Sequence, residues 1–418
     1  MQAEDLVSAL ASSLDKVGQT REVDPDRIRA DTIQSRDRKR VGELEDDLER
    51  SLDSLRADEK LPDLLFRLAN MHFQEGGFGR AIVLYERTLQ LDSKRLPAWL
   101  HMALAYLMLN QYKDAVRCMT DALEVDPNDP AINLTLARAY IGMGNLEKSR
   151  LHLERAMEYD PDNHEAFRVK ALYLEAIGRP EQAVTWLRRA IWKKATFASA
   201  YLDLGRLYIS QNRLVLAKQI LTDGMHNSPE HPGILTALGD LHMKSGEYEK
   251  ALEKFNAALS TRMDDPILWI KKGDMHKMLK SYDEASRAYE KAINADPESV
   301  EAWIRTARIL VLENDIPTAL ECFNTARALA PSDWDAAYER GMVLASAGKL
   351  QEALSDLDDA FSVAPDRPES LYQRAQILEK LYRNDEARRT WEVAAQLYRE
   401  EGETMRAAEC VARMKRLK

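Results

Sequence analysis

Residues 96–129 read LPAWLHMALAYLMLNQYKDAVRCMTDALEVDPND. Trp99, Met102, Ala103 and Tyr106 recur at steps of three and four, which puts them on one face of a helix. Asn110-Gln111 supplies a turn, and Ala115, Met119, Ala122 and Leu123 then mark the buried face of a second helix. Asp126-Pro127 ends that helix, because proline cannot continue it and biases the preceding residue toward extended backbone. The stretch is one helix-turn-helix unit of 34 residues.

The same unit extends in both directions. Ten consecutive copies, with no insertion or deletion, run from Pro62 to Glu401. Counted from the first residue of each unit, place eight is Ala69, Ala103, Ala137, Ala171, Gly205, Gly239, Gly273, Ala307, Gly341 and Ala375. Place twenty is Ala81, Ala115, Ser149, Ala183, Ala217, Ala251, Ala285, Ala319, Ala353 and Ala387. Small residues at two fixed offsets let the paired helices approach, while larger neighbours interlock as ridges in grooves. The pattern predicts an all-α, right-handed superhelical solenoid of about ten helix-turn-helix repeats with terminal capping helices. The proline stop recurs at Pro161, Pro229, Pro297, Pro331 and Pro365.

These units resemble the tetratricopeptide repeat. Where that family places Trp, Leu, Gly, Tyr, Ala, Phe, Ala and Pro, the unit from Pro266 has Trp269, Lys272, Gly273, His276, Ala285, Tyr289, Ala292 and Pro297. Lys272 and His276 depart from it by being polar. The resemblance covers residues 62–401 and implies a receptor for proteins or peptides without naming one. It does not extend to the family's two-carboxylate clamp of Lys, Asn, Asn, Lys and Arg across three units. Phe66, Asn70 and His101 stand where that clamp would begin. Nor is there an asparagine ladder along the inner helices.

Three regions follow: 1–61 as an N-terminal helical extension or cap with linker, 62–401 as the ten units, and 402–418 as a C-terminal capping helix. The last carries Ala407, Ala408, Val411, Met414 and Leu417 on one stripe. In the first, Leu6, Leu10, Leu14 and Val17 form one stripe, and Val41, Leu44, Leu48, Leu52 and Leu55 a narrower second. Such stripes dock on a solenoid or pair as a short coiled coil, so residues 36–58 are a candidate homodimer segment. Glu22-Val23-Asp24-Pro25 echoes Glu124-Val125-Asp126-Pro127 in phase, a hint of decayed units upstream, although Ser35, Asp47, Ser51 and Ser54 sit where core residues belong.

The net charge of −10 and a pI near 5.5 argue against general binding of nucleic acid or acidic membranes. The basic run Arg27, Arg29, Arg36, Arg38, Lys39 and Arg40 has no aromatic for base stacking and leads straight into Glu43, Glu45, Asp46 and Asp47. No apolar run approaches the roughly 18 residues of a membrane span, and no cationic, apolar leader opens the chain. Cys118, Cys322 and Cys410 are odd in number and far apart, which suits reduced thiols in a cytoplasm.

Signs of catalysis or cofactors are missing. No strand pattern exists to present a phosphate loop, and no nucleophile stands at a diagnostic distance from a base. His72, His242 and His276 fill the place of Tyr106, Tyr140 and Tyr208 in sister units, which marks them as packing residues. His226 and His231 lack a third ligand for a metal. The expectation is a chain without intrinsic enzyme activity, cofactor or metal.

A solenoid offers a long inner surface, lined by the first helix of each unit. Its inward places begin apolar, with Phe66, Phe73, Leu100, Leu104, Leu107, Met108, Leu134 and Ile141. Exposed apolar stretches mark binding sites, and a helix or peptide laid in a groove fits best. A folded-back N-terminal segment is the rival occupant. Further along come Arg138, Arg168, Arg206, Lys244, Lys271, Lys277, Arg305 and Arg308, a basic stretch suited to an acidic partner. Interleaved salt bridges between neighbouring helices are the competing explanation. Trp192, beside Lys193-Lys194 at a helix end, reads as an interface anchor or as packing against Phe197. The expected role is a non-catalytic scaffold or adaptor. A non-catalytic subunit or assembly factor of an enzyme complex and a self-assembling structural protein are the alternatives.

Overall fold

The computed structural model describes residues 60–74 and 76–417, and every regular element among them is an α-helix. The pairs are α1 (Leu61–Gln74) and α2 (Phe78–Leu91), α3 (Leu96–Met108) and α4 (Tyr112–Ala122), α5 (Pro130–Gly142) and α6 (Leu146–Tyr159), α7 (His164–Ala176) and α8 (Pro180–Lys193), α9 (Ala198–Ser210) and α10 (Leu214–Asn227). They continue with α11 (Pro232–Lys244) and α12 (Tyr248–Thr261), α13 (Pro266–Met278) and α14 (Tyr282–Ala295), α15 (Val300–Leu312) and α16 (Ile316–Leu329), α17 (Trp334–Ser346) and α18 (Leu350–Val363), α19 (Glu369–Lys380) and α20 (Asn384–Glu400). A final helix, α21 (Thr404–Arg416), follows alone. From Leu96 to Trp334 the first helices start 34 residues apart without exception. The readings of residues 1–59, including the homodimer segment and the echoed turn, lie outside the described residues.

Packing divides the chain into two compact units, with the boundary between Met263 and Asp264. The first holds α1–α12 and the second α13–α21. The sequence period passes through this boundary unchanged.

Each hairpin is built on one contact. Place eight on the first helix is buried in every unit, and so is place twenty on the second. Opposite place eight stands a large side chain at place twenty-four: Tyr85, Met119, Leu153, Leu187, Leu221, Phe255, Tyr289, Phe323, Leu357 and Trp391, all buried. Where place eight is glycine, the knob occupies the space of the missing methyl. A Cβ on Gly205 would lie 2.7 Å from Leu221 Cδ2, and one on Gly239 would lie 2.5 Å from Phe255 Cε1. Burying each such knob contributes about 1.5–3 kcal/mol.

The turns follow a rule as strict as the core. Place fifteen adopts left-handed backbone in all ten units, with φ between 57° at Asn110 and 83° at Gly76. The next residue's N–H then reaches back to the carbonyl at place eleven, as in Gln111 N to Tyr106 O at 2.9 Å, which satisfies an orphan helix-end acceptor. Glycine or asparagine stands there in eight units, and Lys280 and Tyr382 in the other two. Helix entry is likewise capped from place thirty-four: Asp129 accepts from Ile132 N, Asn163 from Glu165 N and Ala166 N, and Asp333 from Ala336 N.

At the C-terminal end, α20 runs on for 17 residues before α21 folds over it. Ala407 and Cys410 are buried there with Trp391 and Tyr398, and Val411, Met414 and Leu417 pack beside them. Ala408, assigned to that stripe from the sequence, is exposed instead. It lies about 100° round the helix from Ala407, while Cys410 falls on the buried side.

Candidate partner-binding groove

Within each compact unit, first helices touch the first helices of neighbouring repeats, except that α7 and α9 are joined chiefly by the Arg168–Asp203 ion pair, and together they line the inner side. On α3, Leu100, Leu104, Leu107 and Met108 stand at i, i+4, i+7 and i+8 and therefore share one face. The three leucines are half-buried, and Met108 is 40% exposed. The apolar surface does not end with the helix. Leu109 in the following turn is 40% exposed, Ile141 on α5 is half-buried, and Met143 is 42% exposed. Beside Met143 opens a pocket of about 400 Å³, lined also by Asn110, Gln111, Tyr112, Lys113 and Asp114. Tyr112 donates to Asn110 Oδ1 at 2.7 Å, and its ring leans over Gly142, where any side chain would collide with it.

Phe66, Phe73 and Leu134, assigned to the apolar groove from the sequence, are buried. Phe66 and Leu134 stand at place five, which is buried also at Ile270 and Ile304 but only half-buried at Leu100 on α3. Phe73 packs edge-on against Phe78, with ring centroids 5.2 Å apart. Phe66 stacks on His101 at 5.4 Å, with the Arg95 guanidinium 4.6 Å over its ring. Below them Asn70 is buried, and its Oδ1 accepts from Tyr85 OH at 2.7 Å and from His101 Nδ1 at 3.0 Å. Burial pushes the His101 pKa down to about 4, so the ring is neutral at pH 7 and serves as a donor in packing.

The basic residues divide between the two compact units. In the first, Arg138 Nη1 lies 3.7 Å from Glu165, Arg168 bridges Glu165 at 3.1 Å and Asp203 at 2.6 Å, and Arg206 meets Asp203 at 3.2 Å. Asp203 is buried, and the chain of charges links three successive first helices. Lys244 is exposed at the end of α11. In the second unit, Arg305 pairs with Asp274 at 3.3 Å and Glu301 at 2.9 Å, and Arg308 with Glu339 at 2.9 Å. Lys271 and Lys277 are half-buried on α13. The arginines are thus answered by carboxylates inside the stack. What stays open to a partner in the first unit is the apolar stripe of α3, extended by Leu109, Tyr112 and Met143. Sequence reading missed those three because Leu109 and Met143 cap helix ends and Tyr112 opens α4, where helical period does not sort inside from outside.

Among the described residues, no group of three His, Cys, Asp or Glu is placed to hold a metal ion. No helix there is long and apolar enough to cross a membrane. The three cysteines are buried and unpaired.

The architecture and the inner layer define a tetratricopeptide-repeat protein. The family model described as cilia and flagella-associated protein 70 C-terminal domain matches residues 2–266, and two tetratricopeptide-repeat models match 279–333 and 307–377. The chain belongs to this family. Its match begins upstream of Pro62 and ends beside the boundary between the compact units. Among curated relatives, Superkiller complex protein 3 of Homo sapiens is 30% identical over 174 residues, covering 41% of this chain and 10% of that protein. Protein CTR9 homolog of Arabidopsis thaliana is 28% identical over 130 residues, covering 30% and 12%. The chain therefore spans about a tenth of the length of these relatives. The crystal structure of the APC/C hetero-tetramer Cut9-Hcn1 aligns with a TM-score of 0.47 at 18% identity, over 82% of this chain and 64% of that one. Repeats of this family mediate protein–protein interaction and complex assembly.

Proposed function

We propose that the chain is a non-catalytic scaffold that holds an apolar helix or extended segment of a partner protein against α3 and α5. The observation that carries this is the apolar face of Leu100, Leu104, Leu107 and Met108 on α3, with Leu109, Ile141 and Met143 as further apolar residues at least partly open to solvent. A solvated face of a soluble protein is otherwise polar at such a density. Methionines at its open edge adapt to more than one partner shape. Arg206, exposed beside its Asp203 partner, and the exposed Lys244 are cations of the first compact unit that a carboxylate on such a partner can still meet. In the second compact unit, Lys271, Lys277, Arg305 and Arg308 form a separate basic stretch on first helices α13 and α15. A cytoplasmic setting fits the reduced thiols.

A second reading, a non-catalytic subunit of a larger enzyme complex, is supported by the name of the relative Superkiller complex protein 3. The test is affinity capture with the full chain and a Leu104→Glu/Met108→Glu variant, with circular dichroism recorded on both. Loss of captured partners from a variant of unchanged helix content supports the groove. An unchanged partner set contradicts it, and an enzyme activity that co-purifies with the wild-type chain favours the second reading.

A further inference from the structure

Trp192 lies at place twenty-nine of its unit and is 81% exposed. The same place elsewhere holds Gln90, Glu124, Glu158, His226, Ser260, Asn294, Ala328, Ser362 and Gln396. It is an outward position on the second helix, and nowhere else does it carry a large apolar residue. Local packing does not explain the indole. Phe197, its nearest candidate for shelter, is buried edge-on against His164 at 4.7 Å.

The surroundings are cationic. Helix α8 ends Arg188-Arg189-Ala190-Ile191-Trp192-Lys193 and is followed by Lys194, where sister units place an apolar-Asp-Pro stop. Lys193 is ion-paired with Asp162 at 2.8 Å. The other three cations are held by aromatic groups. Arg188 donates to Tyr208 OH at 3.1 Å, Arg189 lies 4.5 Å over Phe167 and 5.2 Å over Trp186, and Lys194 lies 5.9 Å over Phe197. Among the described residues, no carboxylate stands within ion-pair distance of Arg188, Arg189 or Lys194. An aromatic ring orients a cation without cancelling its charge. The helix C-terminus accommodates these charges, but it gives no reason for an exposed indole among them.

We propose that this end of α8 is a second docking site, on the second-helix side of the first compact unit, for an acidic peptide segment that carries an apolar residue. The apolar side chain covers the Trp192 indole, as at interface hot spots. Carboxylates on either side meet Arg188, one turn earlier on the Trp192 face, and Lys194, just past the helix end. A nucleic-acid strand fits less well. Its regular phosphates would meet Glu158 and Asp223 on the neighbouring second helices, whereas a peptide carries its few carboxylates only where the cations are. The site is separate from the α3 groove and stands whether or not that groove binds a partner.

The experiment pans a random peptide display library on the full chain, on Trp192→Ala and on Arg188→Glu/Lys194→Glu. Trp192→Gln, which restores the residue of Gln90 and Gln396, serves as a further variant should alanine disturb the fold. Circular dichroism accompanies each. Expected are peptides that bind the wild-type chain at least about tenfold better than the variants. They carry Asp or Glu on both sides of an apolar or aromatic residue, and their binding weakens with salt. The proposal is overturned if no peptide distinguishes wild type from the Trp192 variants, or if the distinguishing peptides are neutral or basic. It is equally overturned if oligothymidylate binds the wild type and is released by Trp192→Ala, which would assign the patch to single-stranded nucleic acid.

Discussion

The ring of Phe255 fills the space that a methyl group on Gly239 would need, with 2.5 Å between its Cε1 and the ideal Cβ position. The crossing of α11 and α12 is therefore closed to any larger residue. Gly239→Ala should cost about 1–3 kcal/mol through overpacking, and Phe255→Leu in the same chain should recover part of that loss. Urea denaturation of the two single variants and the double variant checks the coupling. Equal and additive losses would show that the two residues do not compete for one space.

Lys280 and Tyr382 hold left-handed backbone at φ 60° and 58°, where eight sister turns have glycine or asparagine. A side chain with a Cβ is disfavoured there, and replacing either residue with glycine should stabilise the chain by about 0.5–1 kcal/mol. Tyr382 is 89% exposed, so little packing is lost with it. Thermal denaturation of Tyr382→Gly tests this; an unchanged or lower midpoint counts against the turn rule.

His101 is held neutral beneath Phe66 with a pKa near 4, against 6.5 for a free imidazole. The unfolded chain takes up this proton more readily between those two values. Stability from the neutral ring is therefore complete above pH 6.5 and is lost as pH falls toward 4. The loss is on the order of 3 kcal/mol at most. His152, His164 and His276 are shifted in the same direction by burial. The part due to His101 is thus the difference between wild type and His101→Gln, measured by denaturation near pH 7 and near pH 4.5. The variant should show the shallower acid loss.

Asp203 is buried between Arg168 and Arg206. Asp203→Ala removes the shorter of the ion pairs of the mostly buried Arg168 and should cost about 1–3 kcal/mol, less than a fully dry pair because Arg206 is open to water. Asp203→Asn, which keeps an acceptor, should cost less. Chemical denaturation of both variants is the check, and an alanine variant as stable as wild type would remove the ladder from the account of stability.

The 34-residue period made the helices and their starts readable, because places eight and twenty face a neighbour in every unit and admit nothing large. The boundary at Met263 and Asp264 was not readable, since the period crosses it without a change of phase. Arg168 and Asp203 lie 35 residues apart, so no local spacing announces their contact. Phe66 and Leu134 look like groove residues by place, yet they are buried. Met143 and Leu109 follow helix ends, where no periodicity sorts inside from outside. The exposure of Trp192 depended on whether Phe197 turned toward it, and Phe197 turned toward His164.

The central claim is that a partner lies on the α3 stripe. The most direct measurement replaces Leu104 with a photo-reactive amino acid in the full chain and irradiates it in extract of the source cells. The account predicts a discrete cross-linked partner that disappears when Met108→Glu is added. A cross-link yield no higher than that from the same group at the exposed Gln219 on α10 would contradict it.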